Sequence, residues 1–313
     1  MGADVFRRFL VPSDGSPAAE AAIAPALELV HRTHATLDLV MVRAVPTRSG
    51  ASAPRSESHD DEDAGAYLAD LSARILASDG IRPRFSLLTG DPALSIPAYV
   101  QVHGIDLVAM GLRGSGWRGE TSPDRLDAIG STAERIARSL HVPVLVVPPD
   151  ARTLSLDRVV IAMDGSAEAA HTLAAAGVLF FQTSHATLLR VIPVAQDRIG
   201  SEEDTGNGSA IEELALLAKG VQGAWRTVAS RVIQGTHPTH ETLRFAREAE
   251  AGALILSAGA LPANDGRALL SPLTPEILRH ADLPVLVFPV RAHPSARARE
   301  DGSGGIRLSS HSD

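Results

Sequence analysis

The stretch FLVPSDGSPAAEAA (9–22) decides the reading of this chain, because it returns as VVIAMDGSAEAAHT (159–172). In both copies an apolar, β-branched run ends in Asp-Gly-Ser, at Asp14-Gly15-Ser16 and again at Asp164-Gly165-Ser166, and an Ala-rich segment follows. Working outward, His34-Ala35-Thr36-Leu37 returns as His185-Ala186-Thr187-Leu188, and IDLVAMG (105–111) has its counterpart in GALILSA (252–258). LHVPVLVVP (140–148) is matched by ADLPVLVFP (281–289). Landmarks that recur in one order across a period of this length mark a duplication.

Each half reads as strands alternating with helices. In the first, the run ending at Val11 is a strand, and Ser16-Pro17 opens a helix with the capping residue and first-turn proline that helix starts favour. The spacing then predicts strands over 37–45, 82–88, 106–110 and 144–147, with helices over 66–78, 92–103 and 131–140. Short apolar runs such as LVAM and VLVV suit strands covered on both faces. The alternation therefore predicts an α/β chain of two tandem doubly wound, Rossmann-like domains, each with a five-stranded parallel sheet. Pro25 falls inside the first helix and predicts a kink.

Residues 46–64 are polar and acidic without apolar period and read as a loop, as do 193–208 in the second half. The boundary falls near 149–157, giving domains over 1–150 and 151–290, with 291–313 read as a disordered tail.

Composition excludes several classes of function. The 313 residues are 44% hydrophobic and 21% charged, with no apolar run near a membrane span and no signal-peptide segment, so a cytoplasmic location is expected. There is no cysteine, which removes disulfides and thiolate chemistry. A net charge of -8 argues against a nucleic-acid surface. Lys219 is the only lysine, and it stands in no P-loop or S-x-x-K context. No G-x-S-x-G elbow occurs, and the close pair His237 and His240 lacks a third ligand nearby.

With these residues in place, the chain resembles the universal stress protein family in its tandem form. The carriers are the Asp14-Gly15-Ser16 start, Gly90-Asp91-Pro92, Met110-Gly111-Leu112-Arg113-Gly114, Gly130-Ser131 and Pro143-Val144-Leu145-Val146-Val147. The resemblance implies a fold of the adenine nucleotide alpha hydrolase-like type. It also implies ATP, with or without Mg²⁺, at the carboxyl ends of the first domain's strands. On that reading Asp14 and Val42 contact the adenosine, with Met110 beside them. Gly111, Arg113 and Gly114 line the ribose and phosphates, while Gly130, Ser131 and Thr132 present a helix N-terminus to the phosphates. The chemistry suits an anion, since glycine admits close backbone approach and first-turn N–H groups favour negative charge. Asp14 has a second reading, as the cap of the turn into the first helix, and the glycines have one as tight-turn residues.

Two departures matter. Residues 115–129, including Trp117, separate Gly114 from Gly130, a longer segment than the nine residues of the family pattern. In the second half Ser257 and Ala260 replace Gly111 and Gly114, and Ser271-Pro272 stands where Gly130-Ser131 stood. A proline there removes an N–H donor, so the second half is expected to bind ATP weakly or not at all. The function read from the sequence is an ATP-binding stress sensor or regulator, with an unidentified protein partner and the two domains paired through their last strands. The alternatives are an interaction module without nucleotide, and a slow ATPase using Asp14 and a metal.

Overall fold

The computed structural model describes residues 6–43, 57–112, 131–149, 151, 157–164, 166–180, 185–194, 207–257, 261–262, 268–269 and 273–289. The first half runs β1 (Arg8–Pro12), α1 (Pro17–Glu20), α2 (Ile23–Thr33), β2 (Thr36–Arg43), α3 (Glu57–Asp79), β3 (Arg84–Thr89), α4 (Pro92–His103), β4 (Leu107–Gly111), α5 (Ser131–Ser139) and β5 (Val144–Val147). The second half repeats this with β6 (Arg158–Ala162), α6 (Ala167–Leu179), β7 (His185–Pro193), α7 (Asn207–Gly220), β8 (Thr227–Gly235), α8 (Pro238–Glu248) and β9 (Ala253–Ser257). It then adds a short antiparallel ribbon, β10 (Leu261–Pro262) with β11 (Ala268–Leu269), before α9 (Leu273–His280) and β12 (Val285–Phe288).

The long strands form one ten-stranded sheet in the order β3-β2-β1-β4-β5-β12-β9-β6-β7-β8. Within each half every pairing is parallel and the order is the doubly wound 3-2-1-4-5. The halves meet where β5 pairs antiparallel with β12, Val144 opposite Val287 and Val146 opposite Val285. This contact buries Val146 and Val287 almost completely.

Strand periodicity explains why the apolar runs are continuous. Along β1, Phe9 and Val11 enter one core layer with Leu37, Leu39 and Leu71, while Leu10 enters the other with Val40, Val108 and Ile136. Successive side chains point to opposite faces, and both faces are covered by helices.

Two expectations need correction. The helix after β2 begins at Glu57, so the acidic run 57–63 is helical and not part of a loop reaching residue 64. The absence of apolar period was misleading because this end of α3 does not need a buried stripe to form. The sequence supplies Glu57, Asp60 and Asp61 to its first turns, and negative charge is favoured at a helix N-terminus. Pro25 likewise produces a break in place of a kink. α1 ends at Glu20, Ala21–Ala22 form a turn, and α2 restarts with Ala22 as its cap. Pro25 then sits in the first turn of α2, where its missing N–H is not needed.

Candidate functional site

In the first half the strand order reverses between β1 and β4, so the crevice beyond their carboxyl ends is the topological switch point. Pro12 is level with Val40, and Leu10 with Val108. That register brings Asp14 just past the strand ends, between Val42 on β2 and Gly111-Leu112 at the end of β4.

The Asp14 turn is built by local hydrogen bonds. Its Oδ1 accepts from Ser16 N at 3.0 Å and from Ser16 Oγ at 2.6 Å, and Ser16 Oγ accepts in turn from Ala19 N at 3.2 Å. Asp14 therefore anchors the start of α1 while remaining exposed. Gly15 between them has φ 77°, in the left-handed region that glycine enters without a steric cost.

Behind this turn lies a polar latch that sequence reasoning missed. Ser13 Oγ accepts from Gly15 N at 3.1 Å and lies 2.9 Å from the Tyr67 hydroxyl, which donates to Glu20 Oε1 at 2.9 Å. Arg74 Nη2 completes the chain on Glu20 Oε1 at 3.4 Å. Partial burial is the main reason the Tyr67 hydroxyl is held above its ordinary pKa. The latch ties α3 to the end of β1. Its partners lie far apart in sequence, so no local motif announces it.

Of the sequence-predicted site residues, Val42 and Met110 share the sheet face that α4 and α5 cover, Val42 half-buried and Met110 buried. Gly111 faces the other way. A Cβ built there would lie 2.2 Å from the Ala18 carbonyl oxygen and 3.1 Å from Ala19 Cα, so α1 packs directly on this glycine. Ser131 and Thr132 open α5, and only their backbone is described. Arg113, Gly114, Gly130 and the segment 115–129 with Trp117 lie outside the described residues. Arg43, not singled out from the sequence, stands at the carboxyl end of β2 beside Val42, and its carbonyl accepts from Gly90 N at 2.9 Å.

The second half keeps the turn and changes its surroundings. Asp164 Oδ1 accepts from Ser166 N at 2.9 Å, matching Asp14. Ser166 makes no side-chain cap, and its hydroxyl and that of Ser257 are buried without a partner. Ala260 and Ser271-Pro272 lie outside the described residues. Among the described residues no group of three or more His, Asp or Glu could hold a metal, and no helix is long and apolar enough to cross a membrane.

A sheet whose two halves each run 3-2-1-4-5, with an Asp-to-Ser backbone turn past the first strand of each half, defines a tandem Rossmann-like α/β protein. The model of the Universal stress protein family matches residues 6–148 and again 155–289, and the chain belongs to that family in tandem form. A curated relative, Universal stress protein MJ0531 of Methanocaldococcus jannaschii, is 26% identical over 149 residues, 47% of this chain and 84% of the relative. The fold is shared with a universal stress protein from Archaeoglobus fulgidus, at TM-score 0.65 and 20% identity, covering 90% of this chain and 97% of that one. It is shared also with a functionally unknown protein from Pseudomonas aeruginosa, at TM-score 0.64 and 17% identity, covering 91% and 93%.

Proposed function

We propose that the first half, residues 1–150, binds an adenine nucleotide, ATP with or without Mg²⁺, and that occupancy regulates an unidentified protein partner in the cytoplasm during stress. The observation that carries this reading is the placement of Asp14, with its exposed carboxylate fixed by Ser16, at the switch point between Val42 and the Gly111 end of β4. Open α/β sheets receive ligands at such a crevice. Asp14 and Val42 hold the adenosine with Met110 behind them. Gly111, Arg113, Gly114 and the α5 start at Gly130, Ser131 and Thr132 take the ribose and phosphates, where unsatisfied N–H groups favour an anion.

The second half, 151–290, acts as a structural partner through the β5–β12 seam. With no Walker-type lysine in the chain, any ATP hydrolysis is slow. Calorimetric titration of the full chain with ATP tests the proposal. The expected result is about one site per chain, lost in Gly130→Pro and weakened in Asp14→Ala. Two equal sites, or no binding, overturn it.

One observation favours the alternative of an interaction module without nucleotide. The packing of α1 on Gly111 accounts for that glycine with no ligand present. The absence of binding in the same titration selects this reading.

A further inference from the structure

The two halves carry the same turn in two states, and the difference between them points to what the latch does. Backbone hydrogen bonds fix the correspondence. Ser13 N donates to Val40 O as Met163 N does to Leu189 O, both at 2.8 Å, and Ala19 N and Ala169 N donate to the carbonyls of Ser16 and Ser166. In both halves the Asp carboxylate accepts from the Ser backbone N–H. In the first half the Ser16 hydroxyl adds a bond to Asp14 and caps α1. In the second half the Ser166 hydroxyl is buried with no partner.

The latch divides the halves in the same way. Met163 stands in the place of Ser13 and Ala170 in the place of Glu20, so the second half has neither that hydroxyl nor that carboxylate. Its helix also differs. α6 runs unbroken from Ala167 to Leu179, whereas α1 is a four-residue piece cut off from α2 at Ala21–Ala22. A helix this short has too few internal hydrogen bonds to hold itself. Both of its ends are tied by side chains, Ser16 at the start and Glu20 at the finish, and these ties keep Ala18 over Gly111.

The protons run one way along the latch. A carboxylate only accepts, so the Tyr67 hydroxyl gives its single proton to Glu20. The Ser13 hydroxyl then gives its own to Tyr67, and the Ser13 oxygen takes the Gly15 N–H. Bonds aligned in this way strengthen one another. Gly15 lies between Asp14 and Ser16, so fixing its amide fixes the direction from which Ser16 meets the Asp14 carboxylate.

We propose that Tyr67 is a positioning residue for the nucleotide site. Acting through Ser13 and Gly15 on one side and Glu20 on the other, it holds the Asp14 carboxylate and α1 in the geometry that receives the ligand. The proposal rests on the reading of Asp14 as a nucleotide contact.

Two measurements on the full chain test it. Tyr67→Phe removes one oxygen and keeps the ring, and its ATP affinity by calorimetry should fall roughly threefold to tenfold, the worth of one hydrogen bond. Glu20→Ala should fall likewise, and Glu20→Gln, whose amide oxygen still accepts from Tyr67, should restore most of the affinity. Without nucleotide, amide hydrogen exchange at Gly15 and Ser16 should quicken at least roughly threefold in Tyr67→Phe. Ser166, in the half that lacks the latch, should exchange as before, whereas a loss of overall stability alone would quicken both turns. Unchanged exchange at Gly15 and Ser16, equal quickening at Ser166, or unchanged ATP affinity beside quickened exchange each overturns the proposal. An unaltered chain that binds no ATP defeats the nucleotide reading itself, and exchange at Ser16 then decides whether Tyr67 holds the turn.

Discussion

Leu145 of β5 lies directly opposite Leu286 of β12, in the one pairing of the described ten-stranded sheet that runs antiparallel. Both are almost wholly buried. A strand that ends a domain otherwise offers unpaired N–H and C=O groups and an apolar edge to any other chain. Here each half closes the other's edge.

The seam should therefore carry stability for both halves. Leu145→Ala is expected to cost about 2–5 kcal/mol, as large-to-small changes in a packed core do. Combining it with Leu286→Ala should give less than the sum, since the two residues share one contact. Urea unfolding of the two single variants and the double variant measures this.

Gly111 and Gly65 should respond to the same substitution with opposite signs. Gly111→Ala drives a methyl group into the Ala18 carbonyl and should destabilise by about 1–3 kcal/mol. Gly65, within α3, has nothing within 4 Å of a built Cβ, so Gly65→Ala should stabilise by about 0.5–1 kcal/mol. Thermal melts of the two variants check the pair.

The carboxylate of Asp38 is fully buried. Its Oδ2 accepts from Arg8 Nε at 3.0 Å, Arg8 Nη2 at 2.6 Å and the Tyr99 hydroxyl at 2.8 Å. Arg8→Met strands that charge and should cost about 3–5 kcal/mol, whereas Arg8→Met with Asp38→Leu should recover most of the loss. Denaturant midpoints of both variants decide it.

Asp91 adds a pH signature. The Arg135 guanidinium, at 2.8 Å, and the Ala93 amide hold its carboxyl below the ordinary value of 3.8. The folded pKa is depressed, so its contribution to stability is complete above 3.8 and is lost as pH falls through the lower folded value. In Asp91→Asn this acid-side loss should shrink, and in Arg135→Met the Asp91 titration should move upward. NMR titration of the side-chain carboxyl reads both.

Much of the fold could be read from the sequence because its signals are local. Phe9-Leu10-Val11 and Val144–Val147 are short apolar runs that only doubly covered strands use, and Asp91-Pro92 marks a helix start that the structure places at Pro92. The start of α3 at Glu57 was hidden because an acidic helix end and an acidic loop have the same composition. The break before α2 was hidden because Ala21-Ala22 carries no turn residue of its own. At the candidate site the Asp14 turn was legible from Asp-Gly-Ser, but the Ser13–Tyr67–Glu20 latch and the packing of Gly111 on Ala18 arise only when distant segments meet.

The antiparallel seam also fixes where the two switch points open. Because β5 and β12 run in opposite directions while each half is otherwise parallel, the carboxyl ends of β1 and β4 point one way and those of β6 and β9 the other. Asp14 and Asp164 thus look out from opposite rims of a single slab. The molecule is two-sided, and the crevice of the first half opens on the edge of the sheet opposite to that of the second.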